Sequence, residues 1–154
     1  MIDLSIVIPM HNESEVLETL FARLKPCIEQ VTNNYEIVCV DDGSRDATYA
    51  LLKEYHARDP RIKIVHFSRN FGKEPALTAG IDFAAGRAVI PIDADLQDPP
   101  EIIPELVEQW RNGYKVVLAT RREKALQDFH KFSLVVWLIW LVPFLSGMLG
   151  AMMH

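Results

Sequence analysis

Cysteine is scarce in this chain. Only Cys27 and Cys39 occur, in no metal-binding or redox spacing, and Cys39 lies inside the apolar run "EIVCV". Both read as reduced core thiols of a cytosolic domain rather than as a disulfide. A basic excess is missing as well. Sixteen Lys and Arg against 21 Asp and Glu give a formal net charge of −5, which excludes the charged footprint of a nucleic-acid binder. No GxxxxGK[ST] stretch is present, no GxGxxG follows the first apolar run, and no serine sits in a GxSxG elbow. Those absences remove P-loop, dinucleotide-binding and α/β-hydrolase readings. The five histidines (His11, His56, His66, His130, His154) share no metal-ligand spacing. His56 and His66 read as ordinary surface or core residues, and His11 gains interest only from its neighbours. The opening "MIDLSIVIP" has no basic n-region and too short an apolar run for a signal peptide.

What is present is ordinary in bulk and ordered in pattern. With 154 residues, 49% apolar and 24% charged, the chain has the size and composition of about one globular domain. Apolar runs at 4–9, 35–40, 62–67, 88–92 and 115–120 read as buried strands. Between them, helical spacing predicts helices over 14–31, 46–57, 75–86 and 100–113. Ser14 and Asp46 are expected as helix caps, and Pro26 is expected to end or kink the first helix. Strand–helix alternation with continuous apolar strands predicts an α/β fold: a mostly parallel sheet with helices on both faces. Ligands of such sheets bind beyond the carboxyl ends of the strands, so the residues after each strand matter most.

Those residues are polar throughout: "PMHNE", "DDGSRD", "SRNFGKE", "DADLQD" and "RRE". The stretch "PIDADLQDPPE" crowds four carboxylates (Asp93, Asp95, Asp98, Glu101) just past an apolar run, and like charges so placed call for a positive partner. Asp93 and Asp95 are two apart, so both can face one side. Paired hard oxygen ligands suit Mg²⁺ or Mn²⁺, which completes its shell with waters and substrate phosphates. Asp41 and Asp42 are then free to accept hydrogen bonds from a nucleoside, and Gly43 supplies a tight exit from the strand. The bland alternative for "DDGS" is an Asx-turn leading into the next helix.

The segments "SIVIPMHNE", "IVCVDDGSRDAT", "FSRNFGKEPALTAGIDFAAG" and "IPIDADLQDPPEIIPELVEQW" together resemble family 2 glycosyltransferases. More narrowly, they are similar to the polyprenyl-phosphate (bactoprenol) glycosyltransferases and dolichol-phosphate mannose synthases. The resemblance covers residues 1–122 and implies a GT-A, Rossmann-like fold. It implies inverting, metal-dependent transfer of a sugar, glucose by preference, from a UDP-sugar to a polyprenyl (undecaprenyl) phosphate at the cytoplasmic face of a bacterial inner membrane. On that resemblance Pro9, Asn12 and Glu13 line the nucleotide pocket, and Asp41 and Asp42 hold base and ribose. Arg69, Lys73 and Ala94 lie near the donor. Asp93, Asp95 and Gln97 form the metal–diphosphate group with Mg²⁺ or Mn²⁺. Arg121 meets the acceptor phosphate, and Asp93, Asp95 and Arg121 are the expected catalytic set. No nucleic-acid partner is implied, and a homo-oligomer is left open.

The pattern stops after "LATRRE". Residues 123–131 read as a linker, and 132–153, "FSLVVWLIWLVPFLSGMLGAMM", hold no charged residue. That run is long enough to span a bilayer as a helix. Three readings stand: a membrane anchor, an out-of-frame tail, or an apolar C-terminal helix completing the core. The acceptor-binding half of a typical family member is expected to be absent, so the chain is expected to bind a nucleotide-sugar and turn over poorly or not at all. The rival readings are a non-catalytic nucleotide-sugar-binding remnant and a family 2 transferase using a soluble saccharide acceptor. A phospho-acceptor receiver domain is disfavoured, because its acidic pair follows the first strand and here the pair follows the second.

Overall fold

The computed structural model describes residues 2–117. The apolar runs become four strands, β1 (Leu4–Met10), β2 (Tyr35–Asp41), β3 (Ile62–His66) and β4 (Ala88–Pro91). The amphipathic stretches become α1 (Leu17–Glu29), α2 (Thr48–Arg58), α3 (Lys73–Phe83) and α4 (Ile103–Arg111), the last preceded by a 3-10 turn over Pro100–Ile102. Every strand pair is parallel, in the order β3-β2-β1-β4. Ile6 pairs with Ile37 and Ile90 across the sheet, and Met10 pairs with Asp41 at its carboxyl end.

The chain runs β1 to β2 to β3 in one direction and then returns past β1 to lay down β4 on the other side. Right-handed crossovers force the helix of a reversed connection onto the opposite face of the sheet. The two core clusters follow from that. Leu4, Ile6, Ile8, Ile37 and Cys39 pack with Leu20, Leu24, Leu52, Ile103 and Val107 of α1, α2 and α4. Val7, Val38 and Val40 pack with Ala76 and Leu77 of α3 on the other face. Gly80 is needed there, because a Cβ would run into the Val7 side chain. The reversal also opens a crevice beyond the carboxyl ends of β1 and β4, where such sheets bind ligands.

Two polar residues interrupt the apolar strands. Ser5 and Glu36 are buried on the α3 face. Ser5 Oγ donates to Glu36 Oε1 at 2.6 Å, the Ala85 amide donates to the same oxygen at 2.6 Å, and the Gly86 amide donates to Ser5 Oγ at 2.8 Å. This staple fixes the turn that feeds β4 into the sheet. Cys27 and Cys39 are both buried free thiols, as expected.

Several local expectations are corrected. Val16, not Ser14, is the N-cap of α1, and no side chain caps it. Ser14 instead donates its amide to Asp46 Oδ2. The helix runs through Pro26 to Glu29, because Cys27 and Ile28 continue the buried stripe of Leu17, Leu20, Phe21 and Leu24 while Pro26 itself is exposed. The carbonyl that Pro26 leaves without an N–H partner therefore sits on the wet side of the helix. Asp46 acts at the start of α2 as expected, accepting the Thr48 amide at 3.0 Å, although Ala47 occupies the N-cap position. The fourth strand stops at Pro91, one residue early. Of the fifth strand expected over 115–120, residues 115–117 are not strand and 118–120 lie outside the described residues. So do the linker 123–131 and the apolar segment 132–153. Among the described residues no helix is long and apolar enough to cross a membrane.

Candidate functional site

One cavity of about 230 Å³ opens in the crevice between β1 and β4. It is lined by Pro9 and Met10 of β1, His11 and Glu13 just after it, Asp42 after β2, Asn70, Gly72 and Lys73 at the start of α3, and Asp93, Ala94 and Asp95 after β4. The expected residues Pro9, Glu13, Asp42, Lys73, Asp93, Ala94 and Asp95 thus meet in one place. Asn12, Asp41, Arg69 and Gln97 do not line the cavity, and Arg121 lies outside the described residues. Met10, His11, Asn70 and Gly72 line it without having been singled out as site residues.

Ala94 explains how two acids reach the pocket together. Its methyl is buried among core residues, so Asp93 and Asp95 on either side face outward. Leu96 follows with φ +58°, a strained conformation for a bulky side chain. It is anchored by packing against the main core cluster. The Gln97 amide donates to Asp95 Oδ1 at 3.0 Å, which closes the loop.

The positive partners called for by the acidic stretch are now identified. Lys73 Nζ lies 2.7 Å from both carboxylate oxygens of Asp93. The hydrogen bond to Asp93 holds the lysine pKa above its ordinary value. Glu101 pairs with Arg23 at 2.9 Å on the surface. Glu13 has no such relief. Burial pushes its carboxyl up, and the carboxylates of Asp95, Asp46 and Asp93 push it further, with His11 opposing. The pocket therefore carries more negative than positive charge.

The two acids after β2 are not idle. Asp41 is fully buried; Ser44 donates its amide to Oδ1 at 3.1 Å and His66 Nδ1 donates to Oδ2 at 2.7 Å. His66 in turn stacks on Tyr49, ring centroids 4.0 Å apart. Asp42 accepts the Phe71 amide at 2.7 Å on Oδ1 and the Gly72 amide at 2.8 Å on Oδ2. Its carboxylate thereby clamps the backbone from which Lys73 projects. Gly43, φ +62°, allows the approach: a Cβ there would sit 2.7 Å from the Asn70 amide nitrogen and meet the Arg69 backbone. Asp41 thus closes the "DDGS" turn through the Ser44 amide three residues on, the start of the next helix is held by Asp46 instead, and of the two acids Asp42 alone lines the cavity.

Asn12 and His11 join the same loops. Asn12 adopts φ +57°, a region that Asn tolerates better than most residues. Its backbone N–H donates to Ser44 Oγ at 2.9 Å and its side-chain oxygen accepts the Arg45 amide at 2.8 Å. His11 Nδ1 donates to the Asp42 carbonyl at 2.8 Å, which leaves Nε2 to accept from Asn12 Nδ2 at 3.0 Å. Arg69 lies outside the pocket with its guanidinium 4.7 Å over the Phe71 ring.

The donor set suits a hard divalent cation. Glu13, Asp93 and Asp95 offer only carboxylate oxygens, and the pocket has negative charge to spare. Among the described residues no three His, Cys, Asp or Glu side chains converge into a ready-made cage. Mg²⁺-type sites use one or two carboxylates and fill the remaining positions with water and phosphate oxygens.

Residues 5–144 match the family model described as Glycosyl transferase family 2, and the chain belongs to that family. It is 60% identical over 123 residues to an uncharacterized glycosyltransferase of Synechocystis, covering 80% of this chain and 39% of that protein. It is 42% identical over 134 residues to the bactoprenol glucosyl transferase of Shigella phage SfV, covering 87% and 44%. It is 43% identical over 129 residues to an undecaprenyl-phosphate 4-deoxy-4-formamido-L-arabinose transferase of Pseudomonas fluorescens, covering 83% and 38%. The chain spans about two-fifths of the length of these relatives. Among solved structures, the mannosyltransferase PcManGT of Pyrobaculum calidifontis in complex with GDP-Man and Mn²⁺ matches with TM-score 0.54 and 24% identity, over 60% of this chain and 27% of that one. S. aureus TarS 1-349 with UDP-GlcNAc matches with TM-score 0.55 and 21% identity, over 79% and 39%. Both likenesses bear on the fold, and they agree with the GT-A-like parallel sheet described above.

Proposed function

We propose that this chain carries the donor-binding part of a metal-dependent, inverting glycosyltransferase that moves a hexose, glucose by preference, from a UDP-sugar to a polyprenyl phosphate. The observation that carries the reading is the meeting of Glu13, Asp42, Lys73, Asp93 and Asp95 in one cavity at the strand reversal, in a chain of glycosyl transferase family 2. The names of the bactoprenol and undecaprenyl-phosphate relatives support a lipid-phosphate acceptor. Such an acceptor places the reaction at a membrane surface.

The residues divide the work by charge. Asp93 and Asp95 would hold Mg²⁺ or Mn²⁺, which stabilises the leaving diphosphate when bound. Lys73, at the first turn of α3, supplies positive charge to the same diphosphate, helped by the amide end of the helix. Asp42 holds that helix start in place and keeps lone pairs on the pocket side for a ribose hydroxyl. Glu13, whose carboxyl is pushed up by burial and by the neighbouring Asp95, Asp46 and Asp93, adds a further carboxylate to the rim of the same pocket. The nucleophile is a phosphate oxygen, already ionised at neutral pH, so a strong general base is less needed than for a hydroxyl acceptor. What matters is neutralising two anions brought close together.

The test is a thermal shift of the 154-residue chain in mild detergent, with UDP or UDP-glucose, with and without Mn²⁺, beside an Asp93→Asn/Asp95→Asn variant. Metal-dependent stabilisation that the variant loses is the expected result. A folded wild-type chain that shows no shift with any combination refutes the reading.

A further inference from the structure

We infer that Lys73 is an exchangeable counter-ion, holding Asp93 until a divalent cation takes that carboxylate and then turning to the diphosphate. The inference deepens the donor-binding reading above and rests on it.

Geometry makes the two cations rivals. The Lys73 ammonium sits 2.7 Å from each oxygen of Asp93. A Mg²⁺-type ion needs a carboxylate oxygen at about 2.0–2.1 Å. Both cannot use the same two oxygens, and their like charges repel at that separation. Moving the lysine costs little. Its side chain is 59% exposed, on a flexible four-carbon stem. Its backbone does not have to follow, because Asp42 grips the Phe71 and Gly72 amides immediately before it.

Charge balance then makes metal and nucleotide mutually dependent. Among the described residues that line the cavity, Lys73 is the only Lys or Arg, against Glu13, Asp42, Asp93 and Asp95. An ion arriving alone expels the lysine from the Asp93 carboxylate, its hydrogen-bonded partner. A diphosphate arriving alone meets unneutralised Asp95 and an already occupied lysine. When both arrive, the ion holds Asp93 and the lysine holds phosphate, so neither cation has to give up an anionic partner. Coupling of this kind is reciprocal: each ligand tightens the other by the same factor.

The experiment measures Mn²⁺ binding by electron paramagnetic resonance and UDP binding by calorimetry, each with and without the other ligand. The proteins are the 154-residue wild type, Lys73→Gln and Lys73→Arg. In the wild type, UDP tightens Mn²⁺. In Lys73→Gln, Mn²⁺ alone binds about two- to fivefold tighter than in the wild type, the range expected for releasing a half-exposed ion pair. UDP alone binds weaker, and the coupling factor shrinks toward one. Lys73→Arg keeps the competition and stays close to the wild type. Unchanged or weaker binding of Mn²⁺ alone to Lys73→Gln overturns the exchange while leaving donor binding standing. A wild type that binds neither Mn²⁺ nor UDP overturns both.

Discussion

Replacing Asp42 by asparagine keeps the size of the side chain and removes one of its two acceptor oxygens. In the wild type, Oδ1 and Oδ2 each take a backbone amide, from Phe71 at 2.7 Å and Gly72 at 2.8 Å, on a residue that is 3% exposed. Asparagine can satisfy one of these amides. Its own NH₂ then faces the other, donor against donor. The loss is one hydrogen bond to a charged acceptor, about 1.5–3 kcal/mol. For a chain of this size that corresponds to a fall in Tm of roughly 5–10 °C. The same change frees the backbone that delivers Lys73 to the pocket, so UDP affinity should fall as well. Circular-dichroism melting and a UDP titration below the transition read the two effects separately. An Asp42→Asn protein that melts within about 1 °C of the wild type would show that the clamp contributes nothing, and the positioning role assigned to Asp42 would go with it.

Further outcomes follow from other residues. Asp59 accepts hydrogen bonds from Arg61 and Lys25, which hold its carboxyl well below the usual range. A depressed carboxylate contributes stability above its unfolded pKa of about 4 that is lost as pH falls toward the folded value. Asp59→Asn should therefore flatten the acid limb of the stability–pH curve below about pH 4; an unchanged limb contradicts this. Glu13 is displaced the other way, so its ionisation opposes folding above its unfolded pKa, and protonation on acidification restores what was lost. Glu13→Gln should raise Tm slightly at pH 7, by less than about 1 kcal/mol in stability, with the gain vanishing toward pH 4. Gly43→Ala forces a Cβ against the Arg69 backbone at φ +62° and should cost about 2 kcal/mol or more by denaturant titration.

The sheet was legible because continuous apolar runs have few other uses in a domain this small. The periodicity of 4–9, 35–40 and 62–67 predicts strands that the structure extends or trims by a residue. The ends of α1 were not legible. Ser14 looks like a cap, but its amide is drawn to Asp46, 32 residues away, and no local pattern reveals a partner at that distance. Pro26 looks like a stop, but core packing of Cys27 and Ile28 carries the helix past it. At the site, the acids at 93 and 95 were noticeable from their spacing just past an apolar run, whereas the burial of Ala94 between them came only with the fold. Asp41 was not. Its neighbours suggest a ligand residue, yet it is fully buried beneath His66. His11 and Asn70 enter the pocket because of loop paths that begin at Asn12, φ +57°, and at the Asp42 clamp. Both paths depend on contacts about thirty residues apart in sequence.

The Ser5–Glu36 staple also orders the events of synthesis. Its partners Ser5 and Gly86 are 81 residues apart, and β4 cannot dock on β1 before the turn it holds has left the ribosome. Until then one flank of the central strand stays open, and the wall formed by Asp93, Ala94 and Asp95 does not exist. Pro9, on β1, waits for Asp95 before the two meet in the pocket. Closing so long a loop costs chain entropy that local helices do not, so docking of β4 should be the late step of folding. A nascent chain halted before residue 86 would hold β1, β2 and β3 but lack the acidic wall of the pocket.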